Sequence, residues 1–354
     1  MKPITVLLTG VGAPGAPGII NCYKNNNERI VRVVGIDSNY DAGGKSLVDC
    51  FYIAPLVSAE NYISFVMDIC IKEQVDIIQP IITRELMKFS TNKTFFLNQG
   101  IRISVMDEEK LEIANDKGKL LNALLLKGLP VPSFFVAKSV GEIEAACSRL
   151  GYPEKPVFIK VTSGNGSRGI RMLDTKKSKY DLFFSEKPNS MVISYSELML
   201  TLNEKPTIPD IMIMEYLPGD EYSVDVLSKN GKVREIVCRK GFNIVSSIQL
   251  GCIIEEKKEL VDLCTKISEA LEFDGVYGFD IKYNAKSEPM VLEINPRLTA
   301  GIVACAVAGV NFPYLILKQL LGESFEKCDI SFGTKMVRRW EEVFYDINEN
   351  LIDW

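Results

Sequence analysis

The first 107 residues alternate short β-prone apolar runs with stretches of helical pattern, and few folds accommodate that alternation. The runs are ITVLL at residues 4–8, VRVVGID ending at Asp37, VDIIQPII at 75–82 and Ile101 to Val105. Helical pattern falls at about Ile19 to Asn26, Asn61 to Lys72 and Glu85 to Asn92. Strands separated by helices need crossover connections, so this part reads as α/β with an open parallel sheet. Its first turn, TGVGAPGAPG, sets Gly10, Gly12 and Gly15 at G-x-G-x-x-G spacing, and Asp37 closes the next strand. That is the dinucleotide fingerprint. Pro14 and Pro17 weaken it, because they remove two backbone donors from a loop whose use is to donate N–H groups to pyrophosphate.

Composition narrows the chemistry. The chain has 354 residues, 47% hydrophobic and 25% charged, enough for two or three globular domains. A net charge of -5 gives no reason to expect nucleic acid or an anionic membrane. No apolar run approaches the ~20 residues that span a bilayer, and MKPITVLLTG reads as a strand rather than a signal peptide. Nine cysteines without C-x-x-C spacing point to reduced thiols and a cytoplasmic protein. Histidine is absent. Chemistry must therefore run on carboxylates, lysine, arginine, backbone N–H groups and metal, without imidazole bases or Ser-His-Asp triads.

Four stretches carry candidate function. Asp116 is a good N-cap for the helix KGKLLNALLLKG, and Lys117 sits in its first turn, where the helix dipole disfavours a cation. Lys160 lies in the apolar strand PVFIKV and needs a partner there. After it comes Ser163-Gly164-Asn165-Gly166-Ser167-Arg168-Gly169, whose glycines let N–H groups close over phosphate oxygens; a plain hairpin turn would use some of the same residues. IMIMEYLPGDEYSVDVL is a strand that breaks at Pro218-Gly219 and resumes at Glu221. The break leaves backbone groups for a flat heterocycle, or it is an ordinary turn. Finally, Asp280 lies in YGFDIKY, and Glu293 and Asn295 stand two apart on VLEIN, hence on one face. All three are hard oxygen ligands of the type Mg²⁺ prefers, and Arg297 follows at the strand's lip. Asp, Asn and Pro also gather at strand ends simply to make turns.

Taken in order, these motifs resemble the ATP-grasp ligases, most closely the carbamoyl-phosphate-synthase-like branch, over about residues 110 to 325. The resemblance implies a Rossmann-like pre-ATP-grasp domain (1–110), then a two-lobed, α+β ATP-grasp domain. The lobes would be 111–210, with the glycine-rich flap, and 211–330, with the metal site; a tail, 331–354, would pack back on the body. It implies that Lys117 and Lys160 contact the α- and β-phosphates. Ser163, Gly164, Gly166, Ser167 and Gly169 would belong to a flap over them. Glu215, Tyr216 and Leu217 would meet adenine, and Glu221 the ribose. Asp280, Glu293 and Asn295 would hold one or two Mg²⁺, with Mn²⁺ able to substitute. Arg297 would face the γ-phosphate and the acceptor carboxylate, and Arg239, a looser match, would be a second clamp on an acyl phosphate.

The implied reaction is ATP-dependent activation of a small carboxylate as an acyl phosphate, then capture by an amine, with release of ADP and phosphate. Carbamoyl-phosphate synthase large chains are about three times as long and carry two such modules, which argues against carbamoyl phosphate formation. The rival reading is a non-catalytic ATP-binding module of a biosynthetic complex. Acceptor choice is expected to lie with residues 10–18, 37–45, 80–86 and 239–251, with Arg84 and Glu85 as candidates to hold a charged substrate. A homodimer is a family expectation.

Overall fold

The computed structural model describes residues 1–162, 169–185, 191–245 and 248–352. The chain forms two compact units, each assembled from separate segments. The first comprises 1–112, 222–280 and 294–354; the second comprises 113–221 and 281–293.

In the first unit, five parallel strands lie in the order Cys50–Ile53, Val31–Asp37, Ile4–Thr9, Ile77–Gln79, Arg102–Ile103. Alternate residues of the central strands feed two separate cores. Val6, Leu8 and Val33 join Ile19, Ile20 and Tyr23 of the first helix. Leu7, Val34 and Ile36 join Val66, Cys70, Phe89 and Phe96 on the other side. Burial on both faces is why these strands read as continuous apolar runs. The first helix, Ala16–Lys24, starts three residues earlier than expected, because Pro17 is well placed in a first helical turn, where no N–H partner is needed. The strand expected over 75–82 shrinks to Ile77–Gln79, since Pro80 cannot continue the ladder.

The six-stranded sheet has the order Pro289–Asn295, Gly275–Tyr283, Glu221–Lys229, Lys232–Val245, Ile248–Glu255, Lys335–Val337. Leu227, Val237, Cys252, Ile254 and Val276 from it share a core with Leu298, Cys305, Phe312 and Leu317 of the chain's later helices, and with the first helix. Of the tail, Lys335–Val337 pairs antiparallel with Ile248–Glu255, whereas Trp340 is 91% exposed.

The second unit carries a five-stranded sheet in the order Phe134–Ala137, Ile211–Glu215, Val157–Val161, Ile170–Leu173, Val192–Ile193. Its core packs Ile159, Ile211 and Ile213 against Ile143, Ala146 and Leu198. The helix Lys117–Leu126 opens it. Among the described residues, no helix is long and apolar enough to cross a membrane.

Candidate active site

The second unit gathers lysines and glutamates around two strands. Asp116 caps the Lys117–Leu126 helix, its Oδ1 accepting from the Lys119 N–H at 2.8 Å. The Lys117 N–H donates to the Thr162 carbonyl at 3.0 Å. This fixes the direction of the Lys117 side chain, whose ammonium lies 2.9 Å from Glu293 Oε2 and is only 11% exposed. Lys160 is 6% exposed on the Val157–Val161 strand. Burial pushes the Glu221 carboxyl above the usual glutamate range; Lys282 and Lys160 pull it back, and Glu293 pushes it further up. Lys117, Lys160, Lys282, Glu221 and Glu293 thus act on one another within this unit. Lys282 escaped the sequence reading, although a lysine two residues past Asp280 in a β-rich run was a signal of the same kind as Lys160.

The strand break is built from defined partners. Glu215 Oε1 accepts from the Ser133 N–H at 2.7 Å. The Gly219 N–H donates to the Tyr283 carbonyl at 2.9 Å, and a Cβ at Gly219 would come within 2.6 Å of the Tyr283 Cβ. Tyr216 stacks on Phe158 with ring centroids 6.0 Å apart, and Lys282 Nζ lies 5.9 Å from the Tyr216 ring. Leu217 is buried. Ser163, Gly164, Gly166 and Ser167 of the expected flap lie outside the described residues; Gly169 is described, with φ +71°.

In the first unit, a chain of hydrogen bonds joins a closed ion pair to the remaining candidates. Arg239 and Asp225 are 1% and 0% exposed at the side chain, with Nε to Oδ2 at 2.6 Å. Thr299 Oγ1 donates to Asp225 Oδ1 at 2.6 Å, Arg239 Nη2 to Thr299 Oγ1 at 3.0 Å, and Arg239 Nη1 to Gln249 Oε1 at 2.9 Å. The guanidinium expected as a second clamp is therefore held on three sides by the protein itself. Gly301 admits it, since a Cβ there would lie 2.3 Å from Nη1. From Gln249 the chain continues through Ser223 Oγ at 3.1 Å to Asp280 Oδ1 at 3.0 Å. Asn295 Nδ2 donates to Asp280 Oδ2 at 2.9 Å, and Arg297 Nη2 donates to Asn295 Oδ1 at 3.2 Å. Arg297 Nε reaches Thr83 Oγ1 at 3.2 Å.

The donor set suits Mg²⁺ by its chemistry. Asp280, Glu293 and Asn295 offer oxygen ligands and no sulfur or imidazole. Both carboxylates are already gripped by donors, Lys117 on Glu293 and Ser223 with Asn295 on Asp280, which a cation can displace. No group of three or more His, Cys, Asp or Glu able to hold a metal occurs among the described residues.

At the first sheet, the fingerprint residues bind each other. Asp37 Oδ2 accepts from the Gly12 N–H at 2.8 Å and Oδ1 from the Asn39 N–H at 2.8 Å. The acid that would take a ribose hydroxyl and an N–H that would face pyrophosphate are thus already paired. Arg84 is exposed. Glu85, expected beside it as a substrate holder, is 1% exposed and shut in. It accepts from the Thr9 hydroxyl, from the Tyr62 hydroxyl at 2.5 Å and from the Ile82 N–H at 3.1 Å. Burial pushes its carboxyl up to about 7 against those donors.

The family described as ATP-grasp in the biosynthetic pathway with Ter operon matches residues 207–342, which include Glu221, Arg239, Asp280, Glu293, Asn295 and Arg297. Over that stretch the chain is similar to the ATP-grasp proteins. The N-terminal domain of the PylC-like family matches residues 6–104, the stretch that carries the five-stranded parallel sheet. The carbamoyl phosphate synthase large chain of Clostridium acetobutylicum is 23% identical over 247 residues, 67% of this chain and 21% of that protein. The formate-dependent phosphoribosylglycinamide formyltransferase of Bacteroides thetaiotaomicron is 22% identical over 331 residues, 90% of this chain and 77% of that one. N5-carboxyaminoimidazole synthetase from Staphylococcus aureus, solved with ADP, shares the fold at a TM-score of 0.67 and 17% identity, covering 92% of this chain and 80% of that one. The chain spans about a fifth of the length of the carbamoyl phosphate synthase large chains it matches.

Proposed function

We propose that this protein is an ATP-dependent ligase that converts a small-molecule carboxylate to an acyl phosphate and joins it to an amine, forming a C–N bond. The observation that carries the reading is the linked set Lys117, Lys160, Lys282, Glu221 and Glu293 in the second unit. In this reading Lys117 and Lys160 neutralise phosphate oxygens; Ser163, Gly164, Gly166 and Ser167, assigned with Gly169 to phosphate binding, lie outside the described residues. Phe158 and Tyr216 give the adenine ring an aromatic wall. Main-chain groups at Glu215 and Leu217 meet its edge, and Glu221 accepts from the ribose.

Asp280, Glu293 and Asn295 would hold Mg²⁺, or Mn²⁺ in its place, which would supply charge neutralisation to the phosphates of ATP. Arg297, steadied by Asn295 and Thr83, faces the γ-phosphate and the acid. The acid's carboxylate attacks the γ-phosphorus in line, ADP leaves, and the amine displaces phosphate from the acyl phosphate. Positioning and charge neutralisation suffice for such a transfer, so the lack of histidine is no obstacle. We assign these roles to the segments 1–110, 111–210, 211–330 and 331–354 as pre-ATP-grasp domain, first lobe, second lobe and tail. We also place the protein in the cytoplasm, with its nine unpaired thiols, and read it as a homodimer.

The test is ADP release from Mg²⁺-ATP over a panel of carboxylates, each with and without a pool of amines. ADP that appears only with an acid–amine pair supports the ligase; tight ATP binding with no ADP from any pair counts for a non-catalytic module. Glu293→Gln is expected to lower turnover at least 100-fold while the melting temperature holds. Near-wild-type turnover in that variant sinks the metal assignment.

A further inference from the structure

Arg338 is a half-buried guanidinium with no carboxylate within salt-bridge reach among the described residues. Its backbone N–H extends the tail strand's pairing, donating to the Leu250 carbonyl at 2.8 Å. Its side chain then turns among backbone carbonyls. Nε donates to Gln249 O at 3.2 Å, Nη1 to Pro14 O at 3.2 Å, and Nη2 to Ala300 O. Those carbonyls come from three segments of the first unit: the glycine-rich first turn, the loop after the E-I-N-P-R motif, and the strand beside the tail.

Carbonyls satisfy N–H geometry but carry no charge. A second cation, Arg239, stands close by; burial and then the charge of Arg239 lower the affinity of the Arg338 guanidinium for its proton. Arg239 has Asp225 as counter-charge, and Arg338 has none among the described residues. A partly desolvated cation beside another cation is a costly arrangement unless an anion completes it. Three of the five N–H groups are used by carbonyls, so one on each terminal nitrogen remains for a planar, two-oxygen ligand. Close packing holds the walls: a Cβ at Gly15 would lie 2.8 Å from the Ala300 Cα. Two of the three segments, 10–18 and 239–251, are those expected to choose the acceptor.

We propose that Arg338 binds an anionic group of the acid substrate, so that this enzyme takes acids carrying a second carboxylate or a phosphate besides the carboxylate it activates. The proposal rests on the ligase reading above for the word substrate, but not for the anion site itself. Arg338 is here a specificity-determining residue, away from the reacting carboxylate.

Two measurements on the full chain test it. The first is the melting temperature without nucleotide, in succinate or inorganic phosphate against sodium chloride at matched ionic strength. One of the two anions is expected to raise the wild-type midpoint by about 2 °C or more, and Arg338→Met to abolish the rise; which anion acts separates the carboxylate from the phosphate. Should Arg338→Met fail to fold, Arg338→Lys keeps the charge, loses the fork, and is expected to lose most of the rise. The second is ADP release with a monocarboxylic acid and its dicarboxylate or phosphorylated counterpart. The KM for the doubly acidic substrate is expected to rise at least tenfold in the variant, with the KM for ATP unchanged. No anion-dependent rise in wild type, or an equal rise in the variants, overturns the proposal. ADP release indifferent to Arg338 overturns it while leaving the ligase intact; an anion effect without any ADP release supports the anion site and overturns its role in substrate choice together with the ligase.

Discussion

Asp225 sits in the run Tyr222-Ser223-Val224-Asp225-Val226-Leu227, whose other members are almost wholly buried. An acid in such a strand demands a cation, and Arg239 on the neighbouring strand answers it. Removing one partner of a closed ion pair leaves the other charged and dry. Asp225→Asn is expected to cost about 3–5 kcal/mol of unfolding free energy, read by urea titration; a loss under 1 kcal/mol would mean that Arg239 finds another partner. Asp225 was visible to the same reasoning that picked out Lys160. Its partner was not, because strand pairing between Asp225 and Val237, two residues short of Arg239, is a tertiary fact. Glu85 makes a pH prediction. Its carboxyl is raised from 4.5 to about 7, so the folded state holds a proton that the unfolded state has lost. That stabilisation is full below about 4.5 and is lost as the pH rises through about 7. Its size is on the order of 3 kcal/mol. Glu85→Gln should flatten this part of the pH–stability curve; a wild-type-minus-variant difference that stays constant between pH 5 and pH 8 would show Glu85 ionised throughout.

At the scale of elements, local rules gave boundaries and long-range rules gave the site. The start of the Lys117–Leu126 helix was readable from Asp116, and the cap is there. Proline set the limits of two other elements, as it usually does. What the sequence could not display is that Lys117 meets Glu293, 176 positions later in the chain, at 2.9 Å. The same holds for the relay through Ser223 and Gln249 to Asp280, whose members are ordinary polar residues until four strands of the six-stranded sheet come together. The cap and the lysine are coupled, because the first turn aims the ammonium. Asp116→Ala is expected to lower stability by about 1 kcal/mol and to raise the KM for ATP several-fold without changing the amine dependence. An unchanged KM would uncouple the cap from the lysine.

At the scale of the whole molecule, the fold class was legible because each strand–helix alternation is a local pattern. The division into two units, each made of non-adjacent segments, was not. That division bears on how the chain is made. One face of the parallel sheet, with Val6, Leu8, Ile19 and Tyr23, is covered by Leu298, Cys305, Phe312 and Leu317. Those residues leave the ribosome about 190 positions after the sheet is complete. At roughly 5–20 residues per second the nascent N-terminal third waits some 10–40 s with that face covered only by the first helix. A fragment of residues 1–112 is expected to bind a hydrophobic dye and aggregate; a soluble, dye-negative fragment would show that the sheet closes alone. If the expectation holds, vectorial synthesis makes this chain a client of whatever shields nascent apolar surface, and slowing translation before residue 298 should lower its yield more than slowing it afterwards.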